Sequence, residues 1–200
     1  MSPRPYVSTR RRAAADETRT RIILAVREVL LSDERFTMDA VAARANVARM
    51  TLYYQFGSRR GLLEALFDHV ATGTLVPGLP EAMSEADPLK ALRLVVKRFC
   101  SLWSSETELI RRLRGLAVAD PELDESLVER DQRRRRISDA LSERLTEELG
   151  RARGWRDEAS SLIYTMTSFP VYLSLREVHE PAVIERQLVR WITKALDLPR

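Results

Sequence analysis

The sequence predicts an all-α fold in two parts, and three observations carry that expectation. Apolar residues recur three and four apart along most of the chain, and no stretch keeps the two-residue alternation of a strand. Residues 36–63 divide into two short helical segments about a tight turn, with a third helix leaving, which is the outline of a helix-turn-helix. The charge is lopsided: residues 1–70 carry twelve Arg and no Lys against eight Asp plus Glu, 12 − 8 = +4, while residues 71–200 carry 21 basic and 21 acidic side chains.

The elements follow in order. Residues 1–15 hold Pro3, Pro5 and the run Arg10-Arg11-Arg12, and read as a disordered basic arm, either solvated or lying against phosphates. Residues 16–31 read as the first helix, with Ile22, Val26 and Val29 or Leu30 at helical spacing and Ile23 widening the face. Thr37 is placed to cap the second helix with its hydroxyl, and Val41, Ala42 and Ala45 give that helix a thin apolar stripe. Asn46 stands where the chain must turn, and asparagine tolerates the left-handed conformation better than other non-glycine residues. A third helix over about 48–55 is anchored by Leu52 and Phe56. Gly57 ends it and Ser58 caps the next, which runs to about residue 71.

Gly73, Pro77, Gly78 and Pro80 mark residues 73–87 as a linker. The domain expectation is therefore an arm over 1–15, a DNA-binding domain over 16–72, the linker, and a helical domain over 88–200. Five further helices, for about nine in all, are read from periodicity and breakers over 88–104, 106–117, 121–149, 155–178 and 182–196. Pro170 lies inside the eighth and should kink it. Ile184, Leu188, Trp191 and Ala195 line a face of the ninth.

Composition narrows the class. No run of eighteen apolar residues occurs, so no membrane span is expected. The N-terminus is basic with no apolar stretch behind it, unlike a secretory signal. One cysteine, Cys100, excludes an intramolecular disulfide, and the economical reading is a soluble cytoplasmic protein. Cys100 reads as a buried inert thiol or as an oxidant sensor. Two histidines, His69 and His179, no metal-ligand spacing and no Gly-rich phosphate loop argue against an enzyme and against a cofactor. The entire positive excess lies in the third that holds the helix-turn-helix, where phosphate neutralisation would need it.

The motifs of residues 18–67 resemble the tetracycline-repressor (TetR) family of bacterial transcription regulators. The family pattern runs Thr, Ile-Ala, Ala-Gly-Val-Ser, Thr-Leu-Tyr-x-His-Phe, Ser-Lys-x-x-Leu. This chain has Thr37, Val41-Ala42, Ala45-Asn46-Val47-Ala48, Thr51-Leu52-Tyr53-Tyr54-Gln55-Phe56 and Ser58-Arg59-Arg60-Gly61-Leu62. Four departures stand out. Asn46 replaces the turn glycine, Ala48 the capping serine, Gln55 a histidine and Arg59 the phosphate-meeting lysine. A lost cap costs about 1 kcal/mol, so the third helix should fray more when free of DNA.

The resemblance implies that Thr37, Tyr53 and Arg59 meet the DNA backbone and that Arg49, Met50, Thr51 and Tyr54 face base edges. Chemistry agrees: Arg49 can chelate a guanine, and Met50 or the Thr51 methyl can meet a thymine methyl. Arg44 is a further phosphate candidate, and the bland reading of Tyr53 and Tyr54 is half-buried packing. One short helix reads few bases, so a two-fold dimer on a palindromic operator is expected. The family resemblance puts the dimer contact on the eighth and ninth helices, against the alternative that the last helix faces its own monomer.

The resemblance also implies a small hydrophobic effector in the second part. The candidates are Phe99, Trp103, Met166 and Phe169, with plain core as the competing reading. Repression released by that effector is the family expectation. The alternative is a DNA-binding dimer governed by a protein partner or by no effector. Arg133-Arg134-Arg135-Arg136 has three readings: a solvated run, an inward Arg134 paired with Asp131 or another acid, or an anion site.

Overall fold

The first helix, α1 (Tyr6–Leu31), is longer than its apolar pattern predicts. The computed structural model describes residues 6–32, 34–74 and 78–199. Within them the expected arm is helical from Tyr6 onward, and residues 1–5 lie outside the described part. Ala13-Ala14-Ala15 and the arginines before them are strong helix formers, so the chain needs no apolar face there to continue the helix.

Ten more helices follow: α2 (Met38–Ala45), α3 (Arg49–Phe56), α4 (Arg59–Thr74), α5 (Leu79–Ser84), α6 (Pro88–Ser105), α7 (Thr107–Ala117), α8 (Pro121–Leu149), α9 (Arg153–Met166), α10 (Phe169–Arg176) and α11 (Pro181–Ala195). The all-α class stands, with eleven helices among the described residues where about nine were expected. One of the additional two lies in the expected linker. There Gly78, at φ 99°, starts α5, and residues 75–77 are not described.

The other addition comes from Pro170. Inside a continuous helix its ring would crowd the Met166 carbonyl, and it has no N–H to offer that carbonyl. The chain instead ends α9 at Met166 and restarts at Phe169, with extended Ser168 between (ψ 152°). Pro170 then occupies the first turn of α10, where a missing N–H costs nothing. The sequence expected a kink, and the structure has a break.

Two compact units result, one formed by the described residues of Met1–His69 with Arg111–Leu123, the other by Val70–Ile110 with the described residues of Asp124–Arg200. In the first, Ile22, Val26 and Val29 of α1, Val41 of α2, Leu52 of α3 and Leu62, Leu63 and Leu66 of α4 are all fully buried. Residues 111–123 were expected in the second part. They join the first through Arg112, which donates to the Ser32 carbonyl at 2.8 Å, and through Asp120, which pairs with Arg59. In the second unit the core includes Leu92 and Val96 of α6, Leu141 and Leu145 of α8, Ile163 of α9, and Ile184, Leu188 and Ile192 of α11. Ile192 takes the buried place expected for Trp191 and Ala195: Trp191 is half-buried and Ala195 exposed. No helix among the described residues is long and apolar enough to cross a membrane.

Candidate nucleic-acid interface

The site begins with the turn between α2 and α3. Thr37 Oγ1 accepts from the Ala40 N–H at 3.1 Å and starts α2. Asn46 ends it at φ 51°, ψ 53°, the left-handed conformation, and its N–H reaches back to α2 carbonyls. Val47 N–H closes the turn on the Ala42 carbonyl at 3.0 Å. Ala48 then begins α3 in an extended conformation without a side-chain cap, as its methyl dictates. At the far end, Ser58 Oγ accepts from the Gly61 N–H at 3.0 Å and caps α4. Each of these contacts joins residues no more than five apart, so the local sequence suffices to specify the turn.

α3 is sharply two-faced. Leu52 is fully buried, while Met50 is 73% and Tyr54 89% exposed. Met50 and Tyr54 are four apart and so share one face. Tyr54 at that exposure is not a packing residue. Thr51, Tyr53 and Gln55 are half-buried, and Arg49 is exposed at the N-terminus of the helix.

The far end of α3 is held by a residue that the sequence reading passed over. Arg19 of α1 donates to the Gln55 carbonyl at 2.9 Å, and its guanidinium lies 4.4 Å from the centre of the Phe56 ring. A cation on a helix C-terminus satisfies an orphan carbonyl and complements the helix dipole. Nothing in the spacing of α1 singles out Arg19 from its neighbouring arginines.

Three arginines expected to meet DNA already have carboxylate partners. Arg44 bridges Glu28 at 3.3 Å and Glu34 at 3.4 Å. Arg59 pairs with Asp120, and its guanidinium sits 5.1 Å from the Phe36 ring centre. Arg49 Nη1 is 3.0 and 3.2 Å from the two Asp39 oxygens, and Nη2 donates to Tyr53 Oη at 3.3 Å. The Tyr53 hydrogen bond, then the Asp39 charge, hold the Arg49 guanidinium above its ordinary pKa. The Arg44 and Arg49 pairs are solvent-exposed, and pairs of that kind are each worth about 0–1 kcal/mol, so exchanging their carboxylates for a phosphate is cheap.

The expected effector residues lie in the second unit. Phe99, Trp103 and Phe169 are buried on one another, with ring centres 6.0 Å apart for Phe99–Trp103 and 5.5 Å for Trp103–Phe169. Trp103 Nε1 donates to the Thr167 carbonyl at 2.9 Å, which ties α6 to the break between α9 and α10. Met166, the last residue of α9, is half-buried. Burial pushes the Cys100 thiol up to about 12, so it carries no reactive thiolate near neutral pH.

Residues 34–66 match the bacterial regulatory proteins of the tetR family. The chain also has the fold of solved transcriptional regulators. One, from Rhodococcus sp. Rha1, is 17% identical, with 91% of this chain and 99% of that one covered at a TM-score of 0.67. NalD, the secondary repressor of the MexAB-OprM multidrug efflux pump in Pseudomonas aeruginosa, is 23% identical, with 91% and 96% covered at a TM-score of 0.63. No curated protein matches. Residues 34–66 thus carry the helix-turn-helix of the tetR-family regulatory proteins, and the chain as a whole has the all-helical fold of these solved transcriptional regulators.

Proposed function

We propose that this chain is a transcriptional regulator of the tetR family, that it acts in the cytoplasm as a homodimeric repressor, that it binds a palindromic operator through α3, and that a small hydrophobic effector in the second unit releases it. The exposed pair Met50 and Tyr54, over a buried Leu52, carries the reading: a short helix offers a large aromatic and a thioether to solvent beside Arg49 and Thr51. Thymine methyls and guanine edges are the chemistry those side chains suit. Thr37, Arg44, Tyr53 and Arg59 are assigned to phosphates, which sets orientation and register. The fold shared with NalD, itself a repressor, supports repression as the direction. The effector is assigned to Phe99, Trp103, Met166 and Phe169, because Trp103 is bonded to the Thr167 carbonyl and a ligand displacing it would act on the break between α9 and α10.

Selection of bound sequences from random duplex DNA, at two salt concentrations, tests the reading. A palindrome should emerge, with half-sites about one helical turn, or a multiple of it, apart. Arg59→Ala and Tyr53→Phe should weaken binding to every sequence alike, whereas Arg49→Ala should relax preference at one base position. Failure of any sequence to enrich would refute it.

A further inference from the structure

Asp39 is out of place on a face that meets phosphates. It stands at the second position of α2, its side chain is 70% exposed, and like charge would repel it from a duplex. The helix dipole alone accounts for an acid in a first turn. It does not account for the geometry. Both carboxylate oxygens hold Arg49 Nη1 across the turn, at 3.0 and 3.2 Å, while Tyr53 Oη accepts from Nη2 at 3.3 Å on the other side. The ring of Tyr53 also lies 5.8 Å from that guanidinium. Arg49 is thus gripped by one residue of α2 and one of α3.

We propose that Asp39 is a positioning residue for base reading: it fixes the Arg49 guanidinium so that the arginine discriminates one base position. The inference rests on the DNA-reading function proposed above. An arginine has five N–H donors. Asp39 and Tyr53 engage one terminal nitrogen each, and the donors that remain suit a guanine edge. A free arginine side chain loses rotamer entropy when it is ordered, and one already held loses less on binding. Tyr53 accepts from Arg49 and keeps its own proton, which a phosphate oxygen can take. The chain Asp39–Arg49–Tyr53 therefore links a phosphate contact, which sets register, to the residue that reads sequence.

The test uses full-length protein and the sequence enriched by the wild type. Arg49→Ala first identifies the base position that Arg49 reads. Asp39→Ala and Asp39→Asn should then lose discrimination at that position by about tenfold, while binding to unrelated DNA is kept or strengthened because a negative charge is gone. The double variant Asp39→Ala/Arg49→Ala should discriminate no worse than Arg49→Ala alone. Unfolding temperatures within a few degrees of wild type would show that the loss is not one of folding. If Asp39→Ala strengthens binding to all sequences equally and leaves selectivity at that position intact, Asp39 is only a helix-dipole acid and the proposal is wrong. If the wild type enriches no sequence, the DNA-reading function fails first and takes this inference with it.

Discussion

At the scale of single residues, the four consecutive arginines of α8 have different fates. Arg133 and Arg136 are exposed, Arg135 is half-buried, and Arg134 is only 5% exposed. Successive helical positions step about 100° apart, so one arginine of the run had to face the core. Its charge is met from several sides. The Tyr164 carbonyl accepts from Nη1, and the guanidinium lies 3.9 Å from the Tyr164 ring centre. Asp131 and Thr167 Oγ1, each at 3.4 Å, add weaker contacts. Of the readings open in the sequence, the inward pair with Asp131 is the one this geometry has. Arg134→Ala should destabilise the fold by about 2–3 kcal/mol, the usual loss for hydrogen bonds to a charged group. Arg133→Ala and Arg136→Ala should stay within about 0.5 kcal/mol. Denaturant midpoints measure all three, and equal effects across the run would contradict the assignment.

At the scale of elements, α3 is the exposed weak point. Its start lacks a side-chain cap, while the turn before it depends on a left-handed asparagine. Ala48 is exposed and extended, so a serine there has room to accept from the first N–H groups of α3. Ala48→Ser should therefore stabilise the protein by about 0.5–1 kcal/mol. Asn46→Ala should cost about 1 kcal/mol, because a Cβ with no polar group is poorly accommodated in that backbone region. Thermal unfolding measures both, and no gain from Ala48→Ser would mean that those N–H groups are already satisfied. The same variant should bind its operator more tightly if ordering of α3 limits affinity.

At the scale of the whole molecule, the open quantity is its oligomeric state. α11 spends Ile184, Leu188 and Ile192 on the core of its own unit, packed against α6. That accounts for one face of the helix and leaves Val183, Val189 and Trp191 half-buried. A dimer through α9–α11 would cover those side chains, and standard interfaces bury roughly 800 Å² per partner. Sedimentation should report a dimer at micromolar concentration, and Trp191→Glu should shift it toward monomer by placing an unpaired charge in the contact. A wild-type monomer, or a Trp191→Glu dimer of undiminished affinity, would move the contact elsewhere.

The sequence by itself determined what depends on neighbours within one helical turn. The Thr37 and Ser58 caps, the left-handed Asn46 and the missing cap at Ala48 all follow from side chains acting on backbone a few residues away. Apolar periodicity likewise located most of the helices, though not α5, the start of α1 or the break between α9 and α10. Tertiary structure decided which partner each charge meets. Asp120 pairs with Arg59 from sixty-one positions away, Arg112 reaches Ser32 across eighty, and Arg19 holds the end of α3 across thirty-six. It also decided that Pro170 breaks its helix, and that Ile192 rather than Trp191 completes the buried stripe of α11. The physical reason is the same in each case. A pattern along the chain says that a face is apolar or a side chain charged, but the fold chooses what comes to lie against it.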